Sequence, residues 1–125
     1  MSDFLFPNPE YRARCTRIID GDTIDVEIDL GLRCYRRERL RLLLINAPEM
    51  KGETFAAGIA AKAFLASLVV PGNPSWNLLL RGIKKDTDSF GRWLALIFIQ
   101  RDENNQPVCA NDLMREAGHA VEYRK

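Results

Sequence analysis

The stretch Ile19-Asp-Gly-Asp-Thr-Ile-Asp-Val-Glu-Ile-Asp-Leu30 decides the fold. It opens on Asp20-Gly21, a pair that suits a tight turn. It continues as a strict alternation of Ile24, Val26, Ile28 and Leu30 with Thr23, Asp25, Glu27 and Asp29. A period of two with one apolar face is a half-buried β-strand. Upstream, Tyr11 to Ile19 reads as the strand that enters the turn, and downstream Glu38 to Ile45 reads as a third, with Leu40, Leu42 and Leu44 on one face. Matching apolar faces in an antiparallel hairpin predicts Ile24 opposite Leu44, Val26 opposite Leu42 and Ile28 opposite Leu40. That register sets Asp22 beside Asn46, and Glu27 opposite Arg41.

Further along, Pro48 ends the third strand because it has no amide hydrogen for the ladder. Thr54 is placed to cap a helix running from Phe55 to Val70, with Phe55, Ile59, Ala63, Ala66 and Val70 as its expected buried stripe. Phe64 and Leu68 lie on another face, so broad covering is expected, and a partner-binding helix is the weaker reading. Pro71-Gly72-Asn73-Pro74 breaks the helix. Trp76 to Ile83 and Arg92 to Ile99 read as two further strands, joined by the polar turn Lys84 to Gly91. Asp102 to Gln106 reads as a hairpin-like loop. Asn111 is expected to cap a short last helix that Gly118 terminates. The order βββαββα, mainly β with five strands and a helix between the third and fourth, is the layout of the small Greek-key barrel called the OB-fold.

The bulk properties limit the alternatives. The 125 residues fit one domain spanning 1–125. With 46% hydrophobic and 28% charged residues, the composition is that of an ordinary globular chain. No apolar run approaches the roughly 20 residues of a membrane span, and MSDFLFPNPE lacks the pattern of a signal peptide. Cys15, Cys34 and Cys109 are an odd number without CxxC spacing, so reduced thiols and a cytoplasmic setting are expected. A net charge of +1 favours no partner by itself. Its distribution says more. Asp20, Asp22, Asp25, Glu27 and Asp29 crowd one stretch and Arg33, Arg36, Arg37, Arg39 and Arg41 the next, as facing strands or a metal-and-phosphate site would require.

Three segments could carry chemistry. They are Ile19-Asp20-Gly21-Asp22-Thr23, Arg41-Leu-Leu-Leu-Ile-Asn46-Ala47-Pro48-Glu49, and Asp88-Ser89-Phe90-Gly91-Arg92. Each has a plain structural explanation alone: a turn, an Arg41–Glu27 pair across strands, a loop carboxylate at Glu49, a solvated arginine. In this order and spacing they resemble the staphylococcal nuclease (thermonuclease-like) family, from about Tyr11 to Tyr123. The resemblance implies the same barrel and calcium-dependent endonucleolytic cleavage of DNA and RNA leaving 3′-phosphates. It implies Asp22 as a calcium ligand, Arg41 and Arg92 as phosphate-binding arginines, and Glu49 as the catalytic glutamate. Asn46 falls where the family has a second metal-binding aspartate, and Ala47 where a backbone carbonyl contributes. Tyr123 aligns near a nucleotide-stacking tyrosine.

Those residue types suit the reaction. Phosphodiester cleavage gathers negative charge on phosphoryl oxygens, which a pair of guanidinium forks stabilises. Calcium takes hard oxygen ligands, and a carboxylate beside it can accept a proton from water or orient it. Asn46 departs from the pattern by removing one ligand charge, and Ser89-Phe90 replaces a lysine-tyrosine pair. The expectation is a calcium-dependent nuclease acting as a monomer on DNA or RNA, with no membrane partner. Two other classes stay open: a nuclease-like barrel that binds nucleic acid or protein without cutting, and a structural OB-type domain. His119 is expected to be structural, and Trp76 and Trp93 to be core or barrel-surface aromatics, with base stacking open to an exposed one.

Overall fold

The computed structural model describes residues 9–87, 91–102 and 104–123. The Asp88-Ser89-Phe90 part of the third motif therefore lies outside the described residues. The strands are β1 (Tyr11–Asp20), β2 (Thr23–Asp29), β3 (Tyr35–Leu42), β4 (Ile45–Asn46), β5 (Leu78–Lys85), β6 (Arg92–Ile99), β7 (Val108–Cys109) and β8 (Val121–Glu122). The helices are α1 (Phe55–Val69) and α2 (Ala110–Glu116).

Five long strands form a sheet in the order β3-β2-β1-β5-β6, and β6 returns to pair in parallel with β3. This closure makes the five-stranded barrel of the OB-fold, in the βββαββα order read from the sequence. Closing so few strands demands sharp bending. One-residue register shifts between Cys15 and Arg17, between Ile18 and Asp20, and between Arg81 and Lys84 supply it. The inward residues, among them Ile24, Val26, Leu40, Leu42, Leu78, Leu80 and Ile97, form the core with Ile45, Leu65, Val69 and Met114.

The hairpin register differs from the expected one by four residues. Ile24 lies opposite Leu40, Val26 opposite Glu38, and Ile28 opposite Arg36. The reason is the connection. Gly31, Leu32 and Arg33 all take positive φ, and Cys34 N–H donates to Gly31 O at 2.9 Å, so β3 begins at Tyr35. A slip of four keeps each side chain on its face, which is why face matching alone did not exclude it. β3 also ends early, at Leu42. Leu44 adopts φ 69°, a left-handed conformation that breaks the strand before β4.

Helix α1 presents a different face from the expected stripe. Gly58, Ala61, Leu65 and Val69 are buried, whereas Phe55 is 54% exposed and Ile59 and Val70 are also exposed. The cause is a close approach. A Cβ on Gly58 would lie 2.6 Å from Glu49 O, and one on Gly21 would lie 2.8 Å from Ala61 Cβ. Small residues therefore face the barrel and larger ones face out. Phe64 and Leu68 are half-buried against the core, in line with broad covering. The segment Gly52–Val69 is long and apolar enough to span a membrane by length and composition, at mean hydropathy 1.3, contrary to the expectation that no such run exists. Here its inner face packs on the barrel.

Of the two capping expectations, Thr54 does occupy the N-cap position of α1, while Asn111 does not cap α2. The Thr54 hydroxyl makes no cap bond but donates to Glu49 O at 2.7 Å, with Lys51 O as an alternative acceptor at 3.1 Å. Asn111 lies inside α2, with Cys109 at the cap position. Its buried side chain accepts from Ile97 N–H at 3.0 Å and donates to Leu43 O and Ala95 O at 2.8 and 3.2 Å, clipping α2 to the barrel. Gly118 ends the helix at φ 80°, as expected. The three thiols are free, and burial pushes Cys15 up to about 11. His119 is half-buried with its ring 4.7 Å from Phe64, as a structural residue would be.

Candidate active site

The β1–β2 turn, the end of β3 and the β8 segment meet at one place. Asp22 is buried in the turn, and its Oδ2 accepts the Ala47 N–H at 3.0 Å and lies 3.5 Å from Arg41 Nη2. Thr23 Oγ1 donates to the other oxygen, Oδ1, at 3.1 Å. The same Arg41 Nη2 donates to Asn46 Oδ1 at 2.9 Å. Asp22, Arg41, Asn46 and Ala47 are therefore one connected group. The sequence reading placed Asp22 beside Asn46 through the ladder, but the ladder does not do it. Residues five apart on a continuous strand would sit about 16 Å apart. The left-handed turn at Leu44 folds the chain back so that Asn46 comes beneath Arg41. Leu42 N–H donates to Asp22 O at 2.8 Å and ties the two turns together.

Arg41 does not take the Glu27 partner that was its plain structural explanation. Glu27 instead holds Arg14 at 2.6 Å and Arg37 at 3.6 Å. The Arg41 guanidinium carbon lies 5.3 Å from the centre of the Tyr123 ring, within cation–π range. β8 pairs with β4, and Tyr123 N–H donates to Leu44 O at 2.9 Å, so the tyrosine is fixed at the same turn.

Arg92 begins β6 directly opposite Arg39 in the parallel ladder, on the outward face that Arg41 also occupies two residues on. Buried Asp86 accepts from its Nε at 2.8 Å and orients the fork. Glu49 is anchored through its backbone: its carbonyl accepts the Thr54 hydroxyl, and α1 packs against it at Gly58. Its side chain is 72% exposed and lies 3.7 Å from Lys51 Nζ. The structure thus joins four of the six named residues into one group, sets Arg92 on the same face, and leaves the Glu49 carboxylate outside the group's hydrogen bonds.

Asp20 is the residue that the motif reading did not assign. Its Oδ1 accepts Asp22 N–H at 3.0 Å, so the two carboxyl groups are neighbours. Burial, then the proximity of Asp22, pushes its pKa above the ordinary aspartate range. The signal was present in the Asp-Gly-Asp spacing, since a tight turn brings its first and third side chains together. Among the described residues, no three His, Cys, Asp or Glu side chains gather as a ready metal cluster.

The fold and this grouping define a class: an OB-fold barrel with an arginine–carboxylate site built on its first turn. No family model matches the chain. It is 33% identical over 121 residues to Protein ParB of Escherichia coli and 30% identical over 118 residues to Micrococcal nuclease of Shigella flexneri. Each similarity covers 92% of this chain, and the chain spans about three fifths of these curated relatives, 59% and 60% of their lengths.

Proposed function

We propose that this chain is a thermonuclease-like phosphodiesterase that cleaves DNA or RNA with the help of calcium. The observation that carries the reading is the Arg41 guanidinium, shared between Asp22 and Asn46 and backed by Tyr123. That arrangement holds a planar cationic fork at a fixed place beside acidic oxygens, ready to exchange partners with a phosphate. The similarity to a protein named as a nuclease, along nearly the whole chain, supports the same reading.

The donor set fits a hard cation. Asp20 and Asp22 repel one another when both are ionised, and a divalent ion would relieve that repulsion, with Asn46 Oδ1 as a neutral third oxygen. When bound, calcium would stabilise charge on the phosphoryl oxygens. Arg41 and Arg92 bind those oxygens from the outward face, each in two-point contact. Glu49, exposed on its loop, orients a water or takes its proton. Tyr123 offers its ring to the base or sugar next to the cleaved bond. Single-stranded DNA and RNA, incubated with calcium and then with excess chelator, test the proposal. Internal cleavage that stops on chelation is expected, and undiminished cutting in chelator excludes the calcium-assisted mechanism.

A further inference from the structure

The outward face of β3 carries more cationic and aromatic surface than the active site uses. Tyr35, Arg37, Arg39 and Arg41 alternate along it, so all four side chains leave the barrel on one side. β2 answers with Asp25, Glu27 and Asp29, but β1 already takes two of these. Arg12 holds Asp29 at 2.9 Å and Arg14 holds Glu27 at 2.6 Å. Arg39 is committed to Asp25 through two bonds of 2.8 and 3.2 Å. Arg37 is left with a long 3.6 Å contact to a glutamate that Arg14 holds more closely, and its side chain is 84% exposed. It is a surplus cation on the face of β3.

Beside it stands a prepared ring. Tyr35 stacks on Trp76 with centroids 5.5 Å apart and planes 7° from parallel. Arg14 caps Trp76 at 4.3 Å and donates to Pro74 O, which fixes the indole from behind. Tyr35 is nevertheless 55% exposed. A groove of about 440 Å³, lined by Thr16, Asp25, Arg37, Glu38, Arg39 and Gly91, runs from the residue before Arg92 to Arg37. Along β3, Arg37 lies about 13 Å and Tyr35 about 20 Å from Arg41.

We propose that Arg37 and the Tyr35–Trp76 stack form a second nucleotide subsite, holding one phosphate and one base of the single strand whose scissile phosphate lies at Arg41. The proposal rests on the nuclease reading. A cation four residues from the catalytic arginine, followed by a ring whose stacking partner is already in place, matches an unpaired strand, where phosphates and bases alternate. A duplex would keep its bases stacked on one another and offer none to Tyr35. The subsite contributes binding to long substrates and nothing to the chemical step on short ones.

Fluorescence anisotropy in excess chelator, with a ~12-nucleotide and a ~4-nucleotide oligothymidylate, tests this within the site sizes of OB-fold barrels. Tyr35→Ala is expected to weaken binding of the longer oligomer by about fivefold, the low end of one lost base stack, and Arg37→Gln to weaken it through a lost phosphate contact that shows most at low salt. The shorter oligomer should bind each variant as it binds the wild type. With calcium restored, kcat/KM on the short oligomer should be unchanged, while KM on the long one rises. Trp76 emission should be quenched by the long oligomer alone, with Trp76→Phe as the control for Trp93. Circular dichroism checks that each variant is folded. If folded variants bind and cut the long oligomer like the wild type, the stack only braces the hairpin and the subsite is wrong, while the nuclease reading stands. Equal competition by a duplex would also overturn the subsite. If the wild type neither binds nor cuts either oligomer, the nuclease reading falls and the subsite with it.

Discussion

Asn46 and Arg92 are two positions where a single side chain tests the proposed chemistry. Asn46 is neutral and takes its bond from Arg41, so Asp22 carries the only negative charge in the four-residue group. Calcium binding without nucleic acid should be weak. Asn46→Asp adds a carboxylate beside Asp22 and is expected to lower the calcium concentration for half-maximal activity roughly tenfold, since ligand charge tunes calcium affinity. Asp22→Asn removes the charge and also weakens the bond to Ala47 N–H, so it should cost far more. Calcium titrations of the three proteins measure both, and an unchanged titration for Asn46→Asp would remove Asn46 from the metal. Arg92 is aimed by buried Asp86 through Nε, and a lysine has neither that nitrogen nor a planar fork. Arg92→Lys should therefore cut kcat about 100-fold, the scale of one lost transition-state donor, with a much smaller change in substrate binding. Single-turnover rates beside equilibrium binding separate the two effects, and near wild-type turnover would take Arg92 out of the site. These residues were legible because their motifs are short and local. Asp20 was not assigned: the Asp-Gly-Asp spacing already set it beside Asp22, but its burial there is not written in the sequence.

At the scale of elements, the instructive case is α1. Its sequence offers apolar residues on nearly every side, so periodicity picked the bulkier stripe through Phe55 and Ile59. Packing picked the narrower one, because the helix must lie almost in contact with the backbone of the Glu49 loop. Gly58 is the point of contact. Gly58→Ala would press a methyl within 2.6 Å of Glu49 O and 2.9 Å of Met50 Cα, and only backbone movement can relieve that. The expected cost is about 1–3 kcal/mol of stability, as for an overpacked core. Activity should fall further than stability alone explains, because the loop carrying Glu49 has to shift. Thermal unfolding and kcat measured on the same preparation test this, and a stable, fully active Gly58→Ala protein would show that the Glu49 loop tolerates displacement. The strand register failed for a related reason. Face alternation constrains a hairpin to even shifts, and the choice among them lay in the left-handed residues Gly31 to Arg33, whose conformation no apolar pattern records. Asn111 looked like a cap from its position, whereas its value lies in three bonds that span α2, β6 and the turn after β3.

For the molecule as a whole, element order and barrel class were readable because strand alternation and the Pro-Gly break after the helix are strong local signals. Closure was not readable, since the parallel ladder between β3 and β6 leaves no mark on either strand alone. That ladder joins Arg39 to Arg92, positions 53 residues apart (92 − 39). Contacts of such long sequence separation are slow to form, because the loop must close before any contact rewards it. The first hairpin already contains Asp22 and Arg41, close in sequence and quick to meet, but Arg92 reaches their face only once the barrel has closed. A partly folded chain can therefore hold half of the proposed phosphate-binding surface without the other half. On the proposed reading, catalytic competence reports on the closing of β3 onto β6, whereas binding of a lone phosphate needs only the first hairpin.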